Sequence, residues 1–128
     1  MFRIISGKWK AKKIAAPKNF DVRPTTDFAK EALFSIIDNN YDIEFCSVLD
    51  LFAGIGSITL EFASRDCKDI TSVELNPKHA GFINSTANEL DMGLQVNVQR
   101  ADVFDWLKRK RNHEKKYEII FADAPFET

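Results

Sequence analysis

Four acidic residues sit where an α/β chain concentrates ligand chemistry: Asp50, Glu74, Asp102 and Asp123. Asp50 opens Asp50-Leu51-Phe52-Ala53-Gly54-Ile55-Gly56, an acid placed just before a glycine turn that feeds a helix N-terminus. Gly54 and Gly56 let the backbone come close to a ligand and offer it N–H donors. The turn is a poor dinucleotide fingerprint, because Thr59 occupies the position of the third glycine in G-x-G-x-x-G. It is no P-loop either, since no Gly-Lys-Ser/Thr follows. An acid before the turn repels a pyrophosphate and can accept from an ammonium. Glu74, twenty residues past Gly54, is placed to accept from ribose hydroxyls, and Asp102 can receive an adenine amino group.

A ligand with a cationic amino-acid end, a ribose and an adenine meets the first three acids. S-adenosyl-L-methionine is that ligand, leaving as S-adenosyl-L-homocysteine. The fourth acid begins Asp123-Ala124-Pro125-Phe126. Pro125 stiffens the backbone, and Phe126 offers a face for base stacking. Asp123 and the carbonyl of Ala124 can accept both hydrogens of an exocyclic amine, holding its lone pair toward a methyl sulfonium. Catalysis of this kind is alignment for in-line transfer with modest electrostatic help. It calls for no metal, and the two cysteines (Cys46, Cys67) and two histidines lack metal-ligand spacing.

An alternation of short apolar runs and amphipathic helices must position these residues. Strands are predicted over Ser47–Phe52, Ile70–Glu74, Val96–Val98 and Tyr117–Ala122. Helices are predicted through Ile58–Ala63, over about 78–91, and from Val103 to Arg109 with Phe104 and Leu107 on one side. Strands separated by such helices mean right-handed crossovers and a parallel sheet covered on both faces. The acids then lie at the carboxyl ends that define the ligand crevice. Upstream, Arg23-Pro24-Thr25-Thr26-Asp27 reads as a helix start, with Thr25 or Thr26 as cap. Phe28, Ala32, Leu33, Ile36 and Ile37 recur at helical spacing and predict its buried stripe, which Asn39 and Asn40 end.

A chain of 128 residues, 45% apolar and 29% charged, is one packed domain rather than a disordered segment. No run of eighteen apolar residues marks a membrane span, and the N-terminus lacks a signal-peptide pattern, so a cytoplasmic location is expected. The net charge of −1 conceals an asymmetry. Residues 1–24 carry seven basic side chains against one acid, whereas residues 25–128 carry eleven against eighteen. Such a basic stretch on an acidic body is expected to meet a polyanion. Phe2, Ile4 and Ile14 alternate loosely around Gly7, which predicts a small hairpin or extended arm. A second basic cluster at Lys108, Arg109, Lys110, Arg111, Lys115 and Lys116 reads as a solvated face.

Several segments together carry a family resemblance: Arg3-Ile4-Ile5-Ser6-Gly7, Arg23-Pro24-Thr25-Thr26-Asp27 with Glu31-Ala32-Leu33-Phe34, Leu49 through Gly56, and Asp123 through Phe126. The chain resembles the bacterial 16S ribosomal RNA guanine-N2 methyltransferases, members of the class I S-adenosylmethionine-dependent methyltransferases. The resemblance implies a Rossmann-like, mainly parallel sheet with helices on both faces over residues 25–128, preceded by a basic arm over residues 1–24. It implies that Asp50, Phe52, Ala53, Gly54 and Gly56 hold the methionine end of the cofactor, Glu74 and Leu75 the ribose, and Asp102 and Val103 the adenine. Thr25 falls near the same pocket. Asp123, Ala124, Pro125 and Phe126 would hold a flipped guanine. Lys8, Trp9, Lys10, Lys12, Lys13 and Arg23 would touch RNA, with hairpin packing an equal alternative for Trp9. The implied partner is 16S rRNA in the small ribosomal subunit or its assembly intermediate, met by a monomer.

Two departures from the family pattern stand out. Ala124 stands where the family usually has Pro, and Phe126 where it often has Tyr. Class I sheets normally carry seven strands and four are legible here, so the resemblance implies further chain beyond strand four, whose outer edge is otherwise an exposed apolar edge. Two other functions share the fold: methylation of DNA adenine or a protein glutamine amide, and non-catalytic RNA binding.

Overall fold

The structure, a computed structural model, describes residues 1–20, 25–110 and 115–125. Four strands form one parallel sheet: β3 (Ser47–Leu51), β4 (Asp69–Glu74), β5 (Val96–Arg100) and β6 (Ile119–Ala122), in the order β5-β4-β3-β6. A separate antiparallel hairpin joins β1 (Phe2–Arg3) to β2 (Lys13–Ile14), with Phe2 opposite Ile14. The helices are α1 (Asp27–Asn40), α2 (Ser57–Ser64), α3 (Pro77–Glu89) and α4 (Val103–Lys110). A single 3-10 turn, Ile43–Phe45, leads into β3.

The expected Rossmann-like sheet with helices on both faces is present. Val48, Ile70 and Val96 form one face and pack under Phe34 of α1, Phe62 of α2 and Ile83 of α3. Leu49, Leu51 and Val73 form the other and meet Val103 and Trp106 of α4. Cover on both sides makes burial in β3 and β4 continuous instead of alternating, with polar Asp50, Thr71 and Ser72 buried among the apolar residues. The chain runs from β3 outward through β4 to β5, then returns to the other side of β3 as β6. The order therefore reverses between β3 and β6, and a crevice opens there at the carboxyl ends.

The buried stripe of α1 differs from the expected one. Phe28 is 85% exposed and Ile36 63% exposed, while Lys30, Phe34 and Ile37 face the core. The face is rotated because Lys30 has a partner inside. Its Nζ lies 3.3 Å from Glu61 Oε1 of α2, and neither side chain is accessible. Burial pulls the Lys30 pKa down, while the Glu61 charge pushes it back up. In α4 the interior side belongs to Val103 and Trp106, and Phe104 and Leu107 are exposed. Thr26 is the cap of α1, accepting from the Ala29 N–H, which leaves Thr25 outside the helix.

Glu61 also ties the hairpin to the sheet. Its Oε1 accepts from the Ile5 N–H at 2.8 Å and its Oε2 from the Ser6 N–H at 3.0 Å. Arg65, one turn on, donates to Oε2 at 2.8 Å and to Asp38 at 2.7 Å. Gly7 then passes against the end of α2 at φ 90, where a β-carbon would stand 1.9 Å from the Ser64 carbonyl oxygen. Lys8 N–H donates to that same carbonyl. Removing one member of a buried ionic cluster leaves the others unpaired, at a cost of about 3–5 kcal/mol. Glu61→Ala is expected to lower the unfolding free energy by that amount, read as a lower urea midpoint at unchanged slope, with Glu31→Ala on the exposed face of α1 leaving the midpoint in place.

Candidate active site

A cleft of about 1280 Å³ occupies the switch point between β3 and β6. The β3–α2 turn forms its floor. Phe52 leaves β3 at φ 58, Gly54 follows at φ 62, and Gly56 caps α2 at φ 89. Three left-handed residues in five turn the chain sharply, and the glycines take that conformation without strain. A β-carbon on Gly56 would stand 2.8 Å from Ile83 of α3, so this glycine is needed for close packing as well. Gly56 is behind the cleft wall, whereas Phe52, Ala53 and Gly54 line it.

Four acids line this cleft, each from the end of, or within, a different strand of the sheet. Asp50 lies within β3, opposite Ser72 on one side and Phe121 on the other. Its carboxylate is 1% exposed and accepts from the Thr59 hydroxyl at 2.6 Å. Thr59 is the residue that broke the glycine fingerprint, and its hydroxyl also meets that of Ser72. Three buried polar groups thus satisfy one another beneath the turn.

Glu74, closing β4, accepts from Gly54 N–H at 2.7 Å and from Asn76 N–H at 3.0 Å. It therefore holds the glycine turn. Each carboxylate oxygen has a second lone pair, which stays available to hydroxyl donors. Asp102 caps α4 by accepting from the Asp105 N–H with Oδ1. Leu75 and Val103 complete the predicted cofactor positions, and Thr25 lies on the same wall. Asp123, Ala124 and Pro125 follow β6 and line the opposite side. Phe126 and Arg23 lie outside the described residues.

Several contributors were absent from the sequence reading. Phe104 lines the cleft and meets Phe52 edge-on at 6.0 Å. His79 lines it too, with Nδ1 3.8 Å from Glu74 and its ring 5.0 Å from that of Phe20. The sequence puts Phe104 on one side of its helix with Leu107, and helical spacing alone does not tell a core from a cleft.

Trp9 belongs to the fold: its indole N–H donates to the Leu90 carbonyl at 2.9 Å, and its ring packs on the core. Lys8, Lys10, Lys12 and Lys13 are exposed along the hairpin. Among the described residues, no cluster of His, Cys, Asp and Glu could hold a metal ion, and no helix is long and apolar enough to cross a membrane.

A family model described as conserved hypothetical protein 95 matches residues 2–128. Among curated relatives, the ribosomal RNA small subunit methyltransferase D of Buchnera aphidicola is 36% identical over 126 residues, covering 98% of this chain and 62% of its own. The chain thus spans about three-fifths of the length of that relative. Among solved structures, the candidate methyltransferase yhhF from Escherichia coli superposes with a TM-score of 0.84 at 30% identity, over 98% of this chain and 65% of that one. An O-methyltransferase from Bacillus cereus in complex with SAH shares the fold, with a TM-score of 0.69 at 19% identity over 83% of this chain and 48% of that one.

The acids act on one another. Burial, reinforced by the charges of Glu74 and Asp123, pushes the Asp50 carboxyl up to about 7, against the pull of its Thr59 hydrogen bonds. An unfolded Asp ionises near 3.8, so between roughly pH 4 and 7 the folded chain holds a proton that the unfolded chain has released. Stability from this group is greatest at the acid end and falls as pH rises through that window, by at most about 1.4 kcal/mol per pH unit. Urea titrations of the parent chain and of Asp50→Asn should show a stability difference that declines from pH 4 to 7 and is flat above.

Proposed function

The chain belongs to the conserved hypothetical protein 95 family, and from that premise and its likeness to ribosomal RNA small subunit methyltransferase D we propose that it is a class I enzyme of the bacterial 16S rRNA guanine-N2 methyltransferase kind, transferring a methyl group from S-adenosyl-L-methionine to the exocyclic N2 amine of a guanine in 16S rRNA. One observation carries this reading: Asp50, Glu74, Asp102 and Asp123 line a single cleft around a glycine turn at the switch point of the sheet. The cleft's charge suits a cationic ligand and opposes a pyrophosphate. It also offers separate acceptors for an ammonium, a ribose and an adenine.

Bound S-adenosyl-L-methionine would supply the electrophilic methyl group. Glu74 would accept from its ribose hydroxyls with the lone pairs that Gly54 and Asn76 leave free. Asp102 has Oδ2 for the adenine amine, beside Val103 and the exposed ring of Phe104. On the other wall, Asp123 and the Ala124 carbonyl accept the two hydrogens of the guanine amine. Their pull aligns the nitrogen lone pair with the cofactor side of the cleft, and alignment is the main catalytic resource. The exposed hairpin lysines give the rRNA phosphates a cationic surface beside α2. In this reading the enzyme works in the cytoplasm as a monomer on the small subunit or its assembly intermediate.

Calorimetry with S-adenosyl-L-methionine and tritium transfer to small-subunit rRNA test the proposal together. The parent chain should do both. Asp123→Ala should lower transfer by about a hundredfold or more while cofactor affinity stays within about twofold, because Asp123 acts only on the target amine. No cofactor binding by the parent chain overturns the reading; equal loss of both in Asp123→Ala removes Asp123 from its role.

A further inference from the structure

None of the described residues lining the cleft is a lysine or an arginine. The cofactor of the proposed function nevertheless carries a carboxylate beside its ammonium. A carboxylate needs donors, and the described wall offers a concentrated set at the start of α2. There the Ser57 and Ile58 N–H groups lack intrahelical acceptors and the helix dipole is positive. The Ser57 hydroxyl adds a side chain to this corner: it lines the cleft and is only 5% exposed.

Lys30 decides which way that hydroxyl points. Its Nζ donates to Ser57 Oγ at 3.0 Å and lies 3.3 Å from Glu61 Oε1 and 5.2 Å from the centre of the Phe2 ring. An ammonium has no lone pair, so the Ser57 oxygen can only accept from it. The serine proton must then leave on another side, and among the described residues no acceptor takes it. A serine hydroxyl ordinarily rotates to suit its partner; this one is held as a donor facing the cleft.

Resting on the reading of the cleft as the S-adenosyl-L-methionine site, we infer that Lys30 is a positioning residue that locks the Ser57 hydroxyl as the hydrogen-bond donor to the cofactor's amino-acid carboxylate. The buried ammonium also sets a positive charge behind α2 in an otherwise acidic cleft. A zwitterionic amino-acid end then meets both signs of charge, with Asp50 on one side and Ser57 on the other.

Two probes separate this role from general support of the cleft. S-adenosyl-L-homocysteine carries the amino-acid end, and 5′-methylthioadenosine has the same nucleoside and thioether without it. Calorimetry should show Ser57→Ala weakening the first by roughly tenfold or more and leaving the second unchanged. Ser57→Thr, which keeps a hydroxyl, should restore the discrimination. Lys30→Met, or Lys30→Gln if an apolar side chain beside Glu61 unfolds the chain, should lower the same ratio of affinities and add nothing to Ser57→Ala. Equal weakening of both probes by Ser57→Ala, or full discrimination in the Lys30 variant, overturns the inference while leaving the proposed function standing. A parent chain that binds neither probe overturns both.

Discussion

The buried carboxylate of Glu61 is the interaction on which the architecture turns. It sits in the middle of α2 and receives four donors: two backbone N–H groups of the hairpin, Lys30 of α1 and Arg65 of its own helix. A lone ion in that place would carry a prohibitive desolvation cost, so the cluster forms as a whole or not at all. Its geometric consequence is that α2 becomes a common beam. Its first turn holds the glycine floor of the cleft, its middle binds α1, and its last turn carries the hairpin through Ser64. The cationic surface and the cofactor cleft are therefore fixed to opposite ends of one eight-residue helix.

Negative charge is arranged in depth around the cleft. Asp50 is enclosed and spends its hydrogen bonds on Thr59, whereas Glu74 is part of the wall and Asp123 stands on the rim. The buried acid yields to the others: its proton is held up to about pH 7, so the cleft carries less charge than its formal count. A cationic ligand entering beside Asp50 stabilises the ionised form and draws that proton off. The Thr59 and Ser72 hydroxyls that support Asp50 are not among the residues lining the cleft, so the hydrogen bond that orients the carboxylate is made behind it.

The sheet, its strand ends and the glycine turn were legible because they rest on local signals: apolar runs of strand length, glycines, and acids at run ends. The hairpin was legible for the same reason. Contacts between polar groups far apart in the chain were not. Apolar spacing alone predicts the α1 stripe over Phe28, Ala32, Leu33, Ile36 and Ile37 and gives no reason to bury Lys30, whose partner Glu61 stands thirty-one positions on. Thr59 registered as a missing glycine, when its hydroxyl is the partner that lets Asp50 be buried. Trp9 could pack or bind RNA on sequence grounds, and a single carbonyl at the end of α3, that of Leu90, decides where its N–H goes.

The two halves of the cleft differ in how firmly they are built. The wall proposed for the cofactor rests on β3 and β4, which have strand neighbours on both sides, and on a turn pinned by Ala53 to Val73 and by Gly54 to Glu74. The wall proposed for the target base rests on β6, whose partner among the described residues is β3 and whose side chains are half-buried at best. Asp123 takes its place from one pairing, Leu51 with Ala122, and from the residues that follow it. In the proposed function the loop after β6 seats the target base, and its stiffness falls to Pro125, with Ala124 rather than a second proline before it.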